Sequence, residues 1–227
     1  MNWRSRGASY ALAFLTACFW TATNAVADDA IGGDMIITKD MKPWEGCGEC
    51  HDLDGVAPNG HFPDLAAQKT AYFLKEMDDF RSGKRTNDHG QMGVSSREMM
   101  GKALDQVAAY FASLPPPAPQ SAAELAPAEI ARARRLVEQG SPPAHIPACD
   151  SCHGSRPKHE FVAPCLEAQQ SPYLEKELED FASGRRTNDP NGVMQKIALR
   201  LSDRDVHTVS AYLGSLARRP ATCGAVR

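Results

Sequence analysis

The chain contains one five-residue pattern twice. Residues 47–51 read Cys-Gly-Glu-Cys-His, and residues 149–153, 102 positions later, read Cys-Asp-Ser-Cys-His. In this pattern both thiols lie on one side of a helical turn, where each can add to a haem vinyl group, and the following histidine can bind the iron. The two copies therefore predict two covalently attached haem c groups. The residues predicted to bind them are Cys47, Cys50, His51, Cys149, Cys152 and His153.

The first 27 residues have the order of a secretory signal peptide. Two arginines precede an apolar run over residues 8–20, and Ala-Val-Ala ends the segment. The run is shorter than the roughly 20 residues that span a bilayer. We therefore expect cleavage after residue 27 and export to the periplasm. A membrane anchor and a lipid anchor at Cys18 remain alternatives.

Cleavage would leave 200 residues with six cysteines, enough for two small domains. Four of these cysteines belong to the two haem patterns, and Cys165 and Cys223 remain. In an oxidising compartment such a pair often forms a disulfide, although two separate thiols are the alternative.

Residues 28–114 carry 15 acidic and 9 basic side chains, against 13 and 14 in residues 115–227. This balance does not suggest nucleic acid as a partner, but an acidic half could be attracted to a basic patch on a protein.

The two halves of the chain repeat each other. Residues 80–88, Phe-Arg-Ser-Gly-Lys-Arg-Thr-Asn-Asp, match residues 181–189, Phe-Ala-Ser-Gly-Arg-Arg-Thr-Asn-Asp. The motif Pro-x-Leu-x-x-Gln also occurs in both halves, at residues 63–68 and 164–169. The sequence therefore contains a duplicated unit of about 100 residues, which is a common domain size.

Apolar side chains recur at helical spacing in each unit, for example at Phe73, Met77 and Phe80, and no alternating strand pattern stands out. The pattern predicts an all-α fold of two tandem domains, each wrapped around one haem. The predicted domains are residues 28–114 and 128–227, and the proline-rich residues 115–127 form an extended linker.

A histidine-ligated haem iron needs a second axial ligand or an open face. Met92 and Met194 each lie 41 residues after the haem histidine of their half and 18 residues before a paired tyrosine. A methionine usually fills a core. The matched positions of Met92 and Met194 favour ligation instead, and Met99 and Met100 have no such counterpart. The predicted iron ligands are therefore His51, Met92, His153 and Met194.

Five other histidines have no equivalent in the opposite half: His61, His89, His145, His159 and His207. His89 is the best rival ligand, because it lies close to Met92. Pro63 and Pro164 follow the haem histidines by 12 and 11 residues. We expect their carbonyls to accept the imidazole N–H and fix its tautomer, although an ordinary turn is the alternative.

Together these motifs resemble the dihaem cytochrome c4 family, built from two class I cytochrome c domains, over nearly the whole chain after the signal segment. The resemblance implies a periplasmic protein that carries electrons between membrane complexes, typically towards a terminal oxidase, with the two haem edges facing each other. The chain departs from the family at the weak opening helix around Pro43, at Cys165, which stands where the repeat has Asp64, and in lacking a glycine-rich turn after the second haem pattern.

Three functional hypotheses follow. The first is a single-electron carrier that binds redox proteins and no small-molecule substrate, with no catalytic residues, because histidine and methionine leave no open iron site. The second is a cytochrome subunit bound permanently to a dehydrogenase or an oxidase. The third is a dihaem peroxidase, which would require one iron, that of the first haem, to lose its distal ligand.

Overall fold

The computed structural model describes residues 40–154 and 162–218, all within the compact unit Ile31–Arg227. The predicted signal segment with Cys18, as well as His159 and Cys223, lies outside the described residues. In the described ranges the secondary structure consists of helices and one isolated antiparallel bridge between Ser141 and Ile146. No helix in these ranges combines the length and the apolar character needed to cross a bilayer.

The described part of the first half, residues 40–114, contains four helices, and their apolar side chains build its core. They are α1 (Gly48–His51), α2 (Thr70–Arg81), α3 (Gln91–Glu98) and α4 (Gly101–Ser113). Leu104, Val107, Ala108 and Phe111 follow the i, i+3, i+4, i+7 spacing and face α2, where Phe73 and Met77 complete the cluster. Burial of each large side chain stabilises the fold by roughly 1.5–3 kcal/mol.

The described part of the second half repeats this arrangement after an opening helix. Its helices are α5 (Pro127–Gln139), α6 (Asp150–His153), α7 (Ser171–Ser183), α8 (Val193–Ala198) and α9 (Asp203–Gly214), with short 3-10 turns at Pro142–Ala144 and Pro190–Gly192. Leu136 and Val137 on α5 pack against Val209 and Leu213 on α9. Residues 115–126, which include most of the predicted linker, contain no helix.

The ends of these helices follow from local chemistry. Gly184 ends α7 at a φ of 75°, a left-handed conformation that costs glycine little. The Ser202 side chain caps α9 by accepting a hydrogen bond from the Asp205 backbone N–H at 3.2 Å. Proline occupies the first turn of both α5 and α7, where no N–H is needed.

The segment before α1 is joined to α4 by aromatic contacts. Residues 40–47 form turns, and the counterpart of the opening helix α5 falls outside the described residues. The Trp44 ring stacks on Tyr110 of α4 at 4.4 Å between centroids. The Tyr110 hydroxyl in turn donates to the Leu53 carbonyl at 2.7 Å. These two contacts hold the turns on either side of α1 against α4.

Cys165 is disulfide-bonded and buried. The four cysteines of the two haem patterns are free. The bonding partner of Cys165 therefore lies outside the described residues, and its pairing with Cys223 stays a prediction.

Candidate cofactor sites

Each Cys-x-x-Cys-His pattern forms one short helix, α1 in the first half and α6 in the second. The backbone N–H of His51 bonds to the Cys47 carbonyl at 3.1 Å, and that of His153 bonds to the Cys149 carbonyl at 2.9 Å. One turn therefore brings each histidine next to its pair of thiols. This is the arrangement that the spacing predicts.

Both patterns open into one cavity of about 690 Å³, lined mostly by apolar side chains. The cavity runs from the first half to the second and brings together all eight predicted haem-binding side chains. These are Cys47, Cys50, His51, Met92, Cys149, Cys152, His153 and Met194. Two thiols, one imidazole and one thioether from each half are the donor set that a haem c site with histidine and methionine ligands requires. The residues that line the cavity therefore fit two such groups.

The ring orientation of both histidines is fixed by a proline carbonyl. Nδ1 of His51 lies 2.9 Å from the Pro63 oxygen, and Nδ1 of His153 lies 3.0 Å from the Pro164 oxygen. Burial lowers the pKa of His51, although its bond to the carbonyl opposes this effect. The neutral ring that donates through Nδ1 has Nε2 as its metal-binding nitrogen.

Three of the four thiols in the two motifs have a raised pKa. Burial raises the pKa of Cys47 to about 11 and that of Cys149 to about 12, and it also raises the pKa of Cys50. Redox-active thiols instead have a lowered pKa. The raised pKa of these three thiols favours attachment sites over dithiol redox chemistry.

Each predicted methionine ligand stands at the start of a short helix that the sequence analysis did not predict. Met92 belongs to α3 and Met194 to α8. An aspartate carboxylate accepts from the first N–H groups of each helix: Asp88 from Met92 and Gly93, and Asp189 from Met194 and Gln195. Asp88 and Asp189 are the last residues of the repeated Arg-Thr-Asn-Asp segments. Their presence at the same place in both halves was the sequence signal for this capping role.

The remaining described histidines do not form a second matched set. His61 and His89 also line the cavity and are exposed. His145 is exposed in a left-handed turn, and His207 is exposed beside Glu175, at 2.9 Å between Nδ1 and Oε1. None occupies the same place in both halves.

A buried cluster of charges joins the two halves beside the cavity, and the sequence analysis missed it. Arg85 bonds to Glu76 of its own half at 2.6 Å and to Glu177 of the other half at 2.9 Å. Its guanidinium also donates to the Tyr173 hydroxyl at 3.0 Å. Arg186 makes the matching contacts to Glu177, Glu76 and Tyr72, at 2.6, 3.0 and 3.0 Å.

The carboxylates in this cluster are ionised despite their burial. Burial alone would raise the pKa of Glu76, but Arg186, Arg85 and Lys75 outweigh it and hold the pKa at about 2. The pKa of Glu177 is lowered for the same reason, by Arg85, Arg186 and Lys176 acting against burial. Asn87 and Asn188 complete the cluster by donating to the glutamates of the opposite half.

Comparisons with known proteins agree with this architecture. No protein-family model matches the chain. The cytochrome c4 of Pseudomonas aeruginosa is 37% identical over 175 residues, which cover 75% of this chain and 83% of that protein. A thiosulfate dehydrogenase electron acceptor of Stutzerimonas stutzeri is 34% identical over 176 residues, covering 76% and 80% of the two chains. The crystal structure of reduced recombinant cytochrome c4 from Pseudomonas stutzeri aligns with a TM-score of 0.66 at 30% identity, covering 77% of this chain and 95% of that one.

The fold predicted from the sequence, all-α with tandem class I cytochrome c domains, is confirmed by the structural match and by the helices described above. The predicted cofactors, two covalently bound haem c groups, are confirmed by the relatives. With more than 30% identity over most of both chains, this protein is a dihaem electron-transfer cytochrome and belongs to the cytochrome c4 family.

Proposed function

We propose that this protein is a periplasmic carrier of single electrons whose two haem irons are each ligated by one histidine and one methionine. The observation that carries the proposal is the presence of two matched donor sets in one cavity. The proposed attachment residues are Cys47, Cys50, Cys149 and Cys152. The proposed iron ligands are His51 with Met92, and His153 with Met194.

When bound, each haem supplies a one-electron Fe(III)/Fe(II) couple. The protein then holds the ligands, excludes water and presents an edge for docking. The fixed imidazole tautomers hold the histidine ligands in place, and the apolar lining of the cavity excludes water. A thioether ligand raises the potential above that of a bis-histidine haem, which suits a carrier late in a respiratory chain.

We further propose that the protein is not an enzyme and that each haem has its own domain, residues 28–114 and 128–227. Histidine and methionine on both irons leave no coordination position for a substrate. The partners would be redox proteins, such as a dehydrogenase on the donor side and a terminal oxidase on the acceptor side. Export would depend on the predicted signal segment, residues 1–27.

A redox titration of the purified protein with optical spectra tests this proposal. Two low-spin haems per chain, each with a methionine–iron charge-transfer band in the oxidised state, would support it. A high-spin haem together with turnover of peroxide would instead indicate a peroxidase. The titration also yields both potentials, which limit the choice of donor and acceptor.

A second candidate is a cytochrome subunit that stays bound to a dehydrogenase. The relative from Stutzerimonas stutzeri named thiosulfate dehydrogenase electron acceptor favours this alternative. Gentle purification from the native host distinguishes the two. A free carrier elutes alone at its monomer or dimer size, whereas a subunit elutes with a larger enzyme at fixed stoichiometry.

A further inference from the structure

The residue that follows each histidine-binding proline is held by the opposite half of the molecule. In the first half this residue is Asp64, and in the second half it is Cys165. Both are buried, with exposed fractions of 2% and 1%. The backbone N–H of each lies in the same peptide group as the proline carbonyl before it, which accepts from His51 or His153.

Gln169 of the second half binds both backbone groups of Asp64. The Asp64 N–H donates to Oε1 of Gln169 at 2.8 Å, and Nε2 of Gln169 donates to the Asp64 carbonyl at 3.0 Å. The amide therefore pairs with Asp64 as a neighbouring strand would. Gln169 is 3% exposed, so water does not compete for these bonds.

Gln68 of the first half makes the matching pair with Cys165. The Cys165 N–H donates to Oε1 of Gln68 at 2.9 Å, and Nε2 of Gln68 donates to the Cys165 carbonyl at 3.2 Å. Gln68 is 7% exposed. The two bridges cross: each glutamine holds the segment on which the other half's histidine depends.

We propose that Gln68 and Gln169 are positioning residues that set the orientation and basicity of the proximal histidine in the opposite half. The chain of contacts runs from Gln169 to Asp64, to the Pro63 carbonyl and to His51. The second chain runs from Gln68 to Cys165, to the Pro164 carbonyl and to His153. The inference rests on the proposed function, because it assumes that the two histidines ligate iron.

The physical basis is the hydrogen bond from Nδ1–H. A well-aligned carbonyl makes the imidazole a stronger electron donor, which stabilises the oxidised iron and lowers its potential. When a glutamine is lost, Asp64 or Cys165 loses two buried backbone hydrogen bonds, and the preceding proline carbonyl is held less firmly. The bond to histidine then weakens, and the potential of that haem rises.

The test compares Gln169→Met with Gln68→Met in the full-length holoprotein. Methionine keeps the side-chain length but cannot pair with the peptide. Gln120→Ala is the control. Among the described residues the Gln120 side chain bonds to Gln170 and Ser171 and to neither Asp64 nor Cys165. Its loss therefore loosens this region without removing either pair of backbone hydrogen bonds. Separate Met92→His and Met194→His variants assign the two potentials, because each should lower the potential of its own haem.

We expect a crossed pattern. Gln169→Met should raise the potential of the first haem and leave that of the second unchanged, and Gln68→Met should do the reverse. Exchange of the His51 Nδ1 proton with solvent, followed by NMR, should speed up by up to about tenfold in Gln169→Met. If a methionine variant does not accumulate, Gln169→Glu, which keeps an acceptor for the Asp64 N–H, should give a smaller shift at the same haem.

The contrary outcomes separate the proposals. A shift confined to the haem of the mutated half, an equal shift of both haems, or no shift would overturn the positioning role while leaving the proposed function intact. A shift of the same size in Gln120→Ala would show that loosening alone is responsible, and would also overturn it. Failure of both Met→His variants to lower a potential would overturn the axial ligation and the positioning role together.

Discussion

Arg85 and Glu177 form a buried ion pair, 2.9 Å between Nη2 and Oε1, that joins the two halves of the molecule. Its counterpart between Arg186 and Glu76 measures 3.0 Å. Each guanidinium also bonds to the glutamate of its own half, so each of these four charges has at least two partners. Such a cluster fixes the register of the two halves, because an arginine displaced from its place would leave a buried carboxylate unpaired.

Removal of one cluster arginine should be costly. We expect Arg85→Ala to lower the free energy of unfolding by about 3–5 kcal/mol, since Glu76 and Glu177 would remain buried with fewer partners. Arg204→Ala breaks the pair of the exposed Arg204 with Glu129 and is the control, with a much smaller expected cost because water screens an exposed pair. Urea unfolding of the holoproteins measures both. Equal costs would show that the buried cluster contributes no more than a surface pair.

Stability should fall in acid. The pKa of Glu76 is lowered from an ordinary value of 4.5 to about 2, and that of Glu177 is also lowered. A carboxylate with a lowered folded-state pKa stabilises the protein above its unfolded pKa, and this contribution is lost as the pH falls towards the folded value. We therefore expect a decline between about pH 5 and pH 2, and a shallower decline in Glu76→Gln. Thermal unfolding of both proteins over this pH range measures the decline. An equally steep decline in Glu76→Gln would refute the assignment.

The methionine ligands should be separable from their neighbours by spectroscopy. Met92→Ala should remove about half of the methionine–iron charge-transfer absorption of the oxidised protein, and Met194→Ala the other half. Met99→Leu is the control, because Met99 lies in the core of the first half and has no counterpart in the repeat. Loss of the band in Met99→Leu with retention in Met92→Ala would transfer the ligand role to Met99.

The aspartates that cap the methionine helices should stabilise the axial bonds. Asp189→Ala removes the acceptor for the N–H groups of Met194 and Gln195, at 2.6 and 3.2 Å. Bonds to a charged acceptor contribute about 1.5–3 kcal/mol. We expect the charge-transfer band of the second haem to disappear at a lower urea concentration, while that of the first is unchanged. Asp78→Ala, which alters an exposed carboxylate, should leave both bands unaffected.

The sequence predicted the parts of the site that depend on local spacing. The two Cys-x-x-Cys-His turns and the proline carbonyls at 12 and 11 residues are short-range features, and the structure contains both. The helical stripes of α2 and α4 follow from the periodicity of residues such as Phe73 and Val107. The duplication made these predictions stronger, because each motif occurs at the same interval in both halves.

The contacts between the halves could not be predicted in this way. The bridge from Gln169 to Asp64 spans 105 positions, and the ion pair of Arg85 with Glu177 spans 92. No periodicity links residues so far apart, and the repeated Arg-Thr-Asn-Asp segments indicated their importance without naming their partners. The helices α3 and α8 were also missed, since they are short and begin only where Asp88 and Asp189 cap them.

The most direct test of the account is the redox titration of the purified holoprotein with optical spectra. We predict two one-electron transitions, two low-spin haems per chain, and methionine–iron charge-transfer absorption that corresponds to both irons. One high-spin haem, or charge-transfer absorption from a single iron, would contradict the assignment of histidine and methionine to both haems and with it the carrier function.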